Sequence, residues 1–215
     1  MLTTQDINFP LYVRRQDLTK FLVRYELFKM AMHVHGHIVE CGVGDGGGLL
    51  AWYHLSSIFE PYNHVRKILG YDTFSGFPVV SPKDGTHHTI GEQAFHSYDE
   101  IVRLAEYHDN NRPIGHIPKL ELVKGNASET IPWYLKNNPH VLIAIAYMDF
   151  DIYQPTKTAL ELFLPRMPKG AIIAFDEACN ANWPGETIAL LESIDMRHLK
   201  LRRFSWQSTT SYAVL

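Results

Sequence analysis

Apolar residues in this chain fall into alternating blocks of two kinds, one with helical spacing and one nearly continuous. From Gln16 to His33 they recur every three or four positions, at Leu18, Phe21, Leu22, Tyr25, Leu27, Phe28 and Met32, which predicts an amphipathic N-terminal helix. HIVECG (37–42) then reads as a short buried strand running into glycine, and a glycine-opened helix is predicted over Gly46–Glu60. KILGYD (67–72) is a second strand, Tyr98–His108 a helix, LELVKG (120–125) a third strand and Ala127–Asn137 a helix. VLIAIAYMD (141–149) is apolar at nearly every position, as a central parallel strand covered on both faces should be. Pro155–Leu164 predicts a helix with proline in its first turn, GAIIAFDE (170–177) another buried strand, and Pro184–Ser193 a further proline-opened helix. The last two strands, HLKLRRFSW and TTSYAVL, are spaced for an antiparallel hairpin.

Strands separated by helices of this length imply right-handed βαβ crossovers. The expected fold is therefore α/β: a Rossmann-like, mostly parallel sheet with helices on both faces, closed by the C-terminal hairpin. An N-terminal helical segment (1–36) precedes the α/β body (37–215), and together they read as one domain. The stretch Thr73–Ser97 is rich in Gly, Pro, Ser and His and lacks periodicity. It is too long for an ordinary connection, so it is expected to be a functional lid or a mobile loop.

Composition removes several classes of function. The 215 residues carry 20 Lys+Arg against 23 Asp+Glu, a net charge of −3, which argues against a nucleic-acid-coating surface or a polybasic membrane patch. The longest apolar run, Val141 to Met148, is far short of the ~20 residues a bilayer span needs. The first residues lack the order of a secretory signal. Only Cys41 and Cys179 are present, which excludes a disulfide framework, and a reducing cytoplasm is expected. The 12 histidines are scattered, without an HExxH pattern, and read as ordinary surface and loop residues.

In parallel α/β sheets ligands bind beyond the carboxyl ends of the strands. The chemically distinctive residues fall there. Gly42, Gly44 and Gly47 in VECGVGDGGG (39–48) fit GxGxxG, a turn that lets a ligand approach the backbone but is generic when alone. Glu40 lies just before it and suits a cationic ligand better than a pyrophosphate. Asp72 closes the second strand, where an acid accepts hydrogen bonds from ribose hydroxyls. After the third strand, Asn126 could meet an adenine edge or cap the helix that begins at Ala127. Asp149, Asp151, Asp176 and Glu177 end two neighbouring strands, ~4.8 Å apart in such sheets. Converging carboxylates repel unless a proton or cation compensates, and oxygen-only ligands suit Mg²⁺. Asp151 could instead cap the Pro155 helix.

ECGVGDGGG, GYDTFSGFP and MDFDIYQPTKTALELFLPRMPKGAIIAFDE, in that order, resemble the macrocin O-methyltransferase-like (TylF-type) family of class I S-adenosylmethionine (SAM) methyltransferases. The resemblance runs roughly from Glu40 to Glu186. The D-x-D-x-Y-x-x-T run and GYDTFSGFP carry its specific part. It implies a SAM-dependent O-methyltransferase that methylates a hydroxyl of a sugar or related small molecule, assisted by a divalent metal such as Mg²⁺. Glu40, Gly42 and Gly44 then match the SAM loop, Asp72 the ribose-binding acid, and Asn126 and Ala127 the adenine site. Asp149 matches a metal ligand that also serves as base, completed by Asp176 and Glu177 where the family usually has Asp-Asp. His87 or His88 in the lid offers an alternative base, and Phe74, Phe77, Tyr153 and Trp183 flank the site as walls or packing. The broad apolar face of the N-terminal helix suits a homodimer or packing on the sheet. Two rivals are an NAD(P)-dependent oxidoreductase on the same glycine loop and a catalytically inactive methyltransferase-like binding module. The first lacks room for a substrate domain, and neither gives the late carboxylates a role.

Overall fold

The computed structural model of the protein describes residues 8–215. Seven strands form one sheet in the order β3-β2-β1-β4-β5-β7-β6. They are β1 (His37–Cys41), β2 (Ile68–Asp72), β3 (Leu120–Lys124), β4 (Ile143–Met148), β5 (Ile172–Phe175), β6 (Arg202–Arg203) and β7 (Ser211–Val214). The first five are parallel, and β7 runs antiparallel to both β5 and β6. The helices are α1 (Phe9–Tyr12), α2 (Arg15–Ala31), α3 (Gly47–Phe59), α4 (Tyr98–Asp109), α5 (Ala127–Asn137), α6 (Tyr153–Phe163) and α7 (Pro184–Ser193). The mostly parallel α/β sheet with its C-terminal antiparallel pair is the architecture expected from the periodicity.

Alternation along the strands divides the core in two. Val39, Leu69, Ala146 and Ile173 face Ile131 of α5, Leu160 of α6 and Ala189 of α7. Ile38, Ile68, Ile145 and Ile172 face Leu27 and Phe28 of α2 and Leu49 and Trp52 of α3. All six residues of β4 are buried, because this strand is central and covered on both sides. Each fully buried Leu, Ile or Phe contributes about 1.5–3 kcal/mol relative to exposure.

Register fixes where the chemistry can sit. Cys41 pairs with Met148 and Met148 with Phe175, so β1, β4 and β5 end level with one another. At that edge the Gly42 amide donates to Tyr71 O (2.9 Å) and the Asp149 amide to Cys41 O (2.7 Å). Gly42 has φ +94°, and a Cβ there would lie 2.0 Å from Asp149 O. No other residue fits this crossing.

Two elements depart from expectation. HLKLRRFSW narrows to Arg202–Arg203, both exposed, and these charges blunt the free edge of the sheet. Helix α6 begins at Tyr153, two residues before the expected Pro155. The segment 73–97 contains only one 3₁₀ turn, Pro82–Asp84, but it is docked on the body, as described below.

Candidate functional site

Beyond the ends of β1, β2, β4 and β5 lies a cavity of about 610 Å³, a size that accommodates a small ligand. Glu40, Gly42, Gly44, Asp72, Ala127, Asp149, Asp176 and Glu177 all contribute to its walls. Asp72 organises the glycine loop. Its Oδ2 accepts from the amides of Val43 (2.7 Å) and Gly44 (3.0 Å), and its Oδ1 from the amide of Phe74 (2.6 Å). A carboxylate offers about four acceptor positions, so capacity remains for a ligand hydroxyl.

Asn126 takes one of its two expected roles. Its Oδ1 accepts from the Ser128 amide (3.1 Å) and its Nδ2 donates to Glu129 Oε1 (3.2 Å), so it caps α5. Its neighbours Gly125 and Ala127 form the cavity wall, and Asn126 does not. The local preference of asparagine for the N-cap position accounts for these bonds.

The late carboxylates line the same cavity. Burial, reinforced by Asp176 and Asp151, pushes the Asp149 carboxyl well above the usual range. Asp151 sits at φ +64° and is pushed up to about 7 by burial, then by Glu177 and Asp176. It caps nothing: the Tyr153 amide at the start of α6 donates instead to Asp84 Oδ1 (2.5 Å). Beneath them Glu186 is fully buried, and burial drives its carboxyl far upward although Oε1 accepts from the Glu177 amide (3.1 Å).

The expected metal-ligand set is not assembled. Among the described residues no three His, Cys, Asp or Glu side chains stand close enough to share an ion. Asp176 Oδ1 already accepts from the Tyr147 hydroxyl (2.5 Å) and the Thr210 hydroxyl (3.1 Å). Glu177 Oε2 accepts from Asn180 Nδ2 (2.5 Å). Asp149, Asp176 and Glu177 therefore share the cavity without forming a cation cage.

The Thr73–Ser97 segment is latched rather than loose. Asp84, 1% exposed, accepts through Oδ2 from the Ser81 amide (2.6 Å) and hydroxyl (2.8 Å), besides capping α6. The Ser97 hydroxyl donates to Gly44 O (2.5 Å). His88 stacks on Trp183 (3.9 Å between centroids, 14°), its Nε2 donates to Asn182 O (2.7 Å) and its Nδ1 faces Glu92 Oε1 (3.5 Å), so both ring nitrogens are turned to the protein and His88 does not line the cavity. Phe77, Phe95, Phe150 and Trp183 wall the cavity. Phe74 instead packs inside against Tyr98, and Tyr153 donates to Glu192 Oε2 (2.6 Å) away from it.

Asp151 gives a pH-dependent test. Its unfolded value is ~3.9 and its folded value about 7, so between those pH values the folded state holds a proton that the unfolded state has lost. Stability contributed by this group therefore falls as pH rises through that window. Asparagine keeps the left-handed backbone comfortable. Asp151→Asn is expected to stabilise the protein by about 1–3 kcal/mol at pH 8, after allowance for solvent reaching the half-buried site, and by almost nothing at pH 4. Urea melts at the two pH values check it, and equal gains at both would refute it.

Sheet order, the glycine loop after β1 and the acid closing β2 together define an α/β protein with the class I methyltransferase fold. The chain belongs to the macrocin-O-methyltransferase (TylF) family, whose model matches residues 21–189. The structure is similar to that of CalS11, a calicheamicin methyltransferase, with a TM-score of 0.93 and 36% identity over 100% of this chain and 86% of that one. It is similar also to apo CalS11, described as the TDP-rhamnose 3'-O-methyltransferase of calicheamicin biosynthesis, with a TM-score of 0.85 and 34% identity over 98% and 84% of the two chains. A curated relative from Streptomyces olivaceus, 8-demethyl-8-(2,3-dimethoxy-alpha-L-rhamnosyl)-tetracenomycin-C 4'-O-methyltransferase, is 25% identical over 169 residues, 77% of this chain. The match spans 60% of the length of that relative.

Proposed function

We propose that this protein is a SAM-dependent O-methyltransferase that methylates a hydroxyl of a sugar-like small molecule. The observation that carries this reading is one cavity lined by two chemically distinct groups, Asp72 with the glycine loop, and Asp149 with Asp151. The rhamnose-directed activities named for its relatives support a sugar-like acceptor.

SAM, when bound, supplies a methyl group on a cationic sulfonium. Asp72 has acceptor capacity left for ribose hydroxyls, and Gly125 and Ala127 leave a smooth wall for a base. Phe77, Phe95, Phe150 and Trp183 keep water from the reacting atoms. A hydroxyl becomes an effective nucleophile as its proton leaves. Asp149, which lines the cavity, is the proposed recipient of that proton, and burial raises its proton affinity above that of an ordinary aspartate. In the balanced transfer the acceptor oxygen would gain the methyl carbon as the C–S bond breaks, S-adenosylhomocysteine would leave with that electron pair, and Asp149 would hold the proton.

No step is routed through a metal ion. Asp149, Asp176 and Glu177 do not stand close enough together to share an ion, so Mg²⁺ assistance would require them to regroup. Turnover is therefore expected to be unchanged by EDTA, whereas loss restored by Mg²⁺ would show that the carboxylates regroup around an ion. The reading places the protein in the cytoplasm, without nucleic-acid partners. No helix among the described residues is long and apolar enough to cross a membrane. Exposed Phe9, Leu11 and Tyr12 of α1, with Phe21 and Leu22 of α2, suit pairing with a second copy.

Equilibrium binding of labelled SAM and NADH in parallel tests the assignment. SAM binding alone is expected. NADH binding without SAM would favour an oxidoreductase, and binding of neither would favour an inactive module.

A further inference from the structure

We propose that helix α2 is part of the cofactor site, with Arg24, assisted by Lys20, receiving the carboxylate of the cofactor's amino-acid tail. This rests on the reading of the cavity as a SAM site. The glycine-loop end of the cavity is closed by α2, which contributes Lys20, Phe21 and Arg24 to a wall shared with Glu40, Gly47 and Gly48.

Arg24 is an unusual residue for a helix face that packs on a sheet. It is 5% exposed and sits among the buried Val23, Leu27, Phe28 and Ala31 of the same helix. Its Nη2 donates to Glu40 Oε1 (2.7 Å), and Glu40 is itself 1% exposed. The guanidinium lies over the Tyr147 ring, 4.4 Å from its centroid. Burial works against the charge, but Glu40 and Tyr147 more than offset it, and the guanidinium stays protonated. These contacts hold it in place while leaving its hydrogen-bonding capacity largely unused. Nε is buried without a partner, and Nη1 makes only a 3.5 Å contact with Lys20 O. The Trp52 indole N–H bears on the Glu40 carboxyl without reaching full hydrogen-bonding geometry, and Glu40 Oε2 has no other partner.

Buried polar atoms in folded proteins are nearly always satisfied by protein or ligand. A planar, fixed guanidinium with donors to spare is the group best matched to a carboxylate. Gly48 keeps the space clear: a Cβ there would lie 2.1 Å from Glu40 Oε1 and 2.2 Å from Arg24 Nη2. Lys20, one turn before Arg24 on α2, adds an exposed positive charge at the rim. The amino-acid tail would thus meet an ion pair with unfilled bonding positions, and a zwitterion adds no net charge to it.

The test compares S-adenosylhomocysteine with 5′-methylthioadenosine, which keeps the nucleoside and thioether but lacks the amino-acid tail, by titration calorimetry. Removing Arg24 alone would strand the buried Glu40 charge. The variants are therefore the double Arg24→Met/Glu40→Gln and the single, exposed Lys20→Met, each checked for folding by circular dichroism. The double variant is expected to lose about tenfold or more in S-adenosylhomocysteine affinity, and Lys20→Met about threefold, with methylthioadenosine unchanged for both. Equal losses for the two ligands, or no loss for either, would overturn the carboxylate assignment while leaving the nucleoside site intact. If the double variant does not fold, Lys20→Met decides by the same ligand comparison. Wild-type protein that binds neither ligand would overturn the cavity's assignment and this inference with it.

Discussion

Asp149→Asn is expected to lower turnover by at least about 100-fold while leaving SAM affinity within a factor of about two. The substitution preserves shape, so the loop crossing at Gly42 and the hydrogen bond that the Asp149 amide donates to Cys41 O are kept. What disappears is the only property the proposed step requires, the capacity to take a proton. Loss through misfolding is the wrong explanation in advance: Asp149 is raised by burial and by repulsion from Asp176 and Asp151, so neutralising it relieves strain at this end of the cavity. The variant should melt no lower than the parent. Single-turnover kinetics with calorimetry on S-adenosylhomocysteine separates these effects. Retained turnover would remove Asp149 from the mechanism.

Asp72→Ala should have the opposite signature. Three backbone amides, those of Val43, Gly44 and Phe74, lose their acceptor at once, together with the group proposed to hold the ribose. A hydrogen bond to a charged acceptor contributes about 1.5–3 kcal/mol, although water replaces part of each at this half-buried site. An affinity loss of about 100-fold for S-adenosylhomocysteine is expected, with a lower Tm because the glycine loop is no longer anchored. Asp72→Asn, which keeps one acceptor oxygen, should fall between. Unchanged affinity would move the ribose elsewhere in the cavity.

The strands could be read directly from the chain because burial on both faces leaves little choice of residue: VLIAIAYMD allows no other reading than a central strand. Strand ends then located the cavity. Side-chain direction was less accessible. Asp149, Asp176 and Glu177 do share one edge, but Tyr147 and Thr210, brought in by β4 and by the segment before β7, engage Asp176. Asp84 caps a helix 69 positions later, a pairing with no local signal. Arg24 did leave one: it stands four and seven positions before Phe28 and Ala31, so a charge falls on the buried stripe. HLKLRRFSW alternates like a strand, yet only two residues find a partner at the sheet edge.

The crossing of Gly42 over the Asp149 carbonyl has a consequence for how such a protein can diversify. The loop proposed to cradle the methyl donor and the residue proposed to accept the proton are joined at a single backbone junction with no space between them. Donor and base thus behave as one casting. The surfaces around Phe77 and Trp183, which pack on each other, lie outside it. Evolution can recut those surfaces for a new acceptor without resetting the reaction distance.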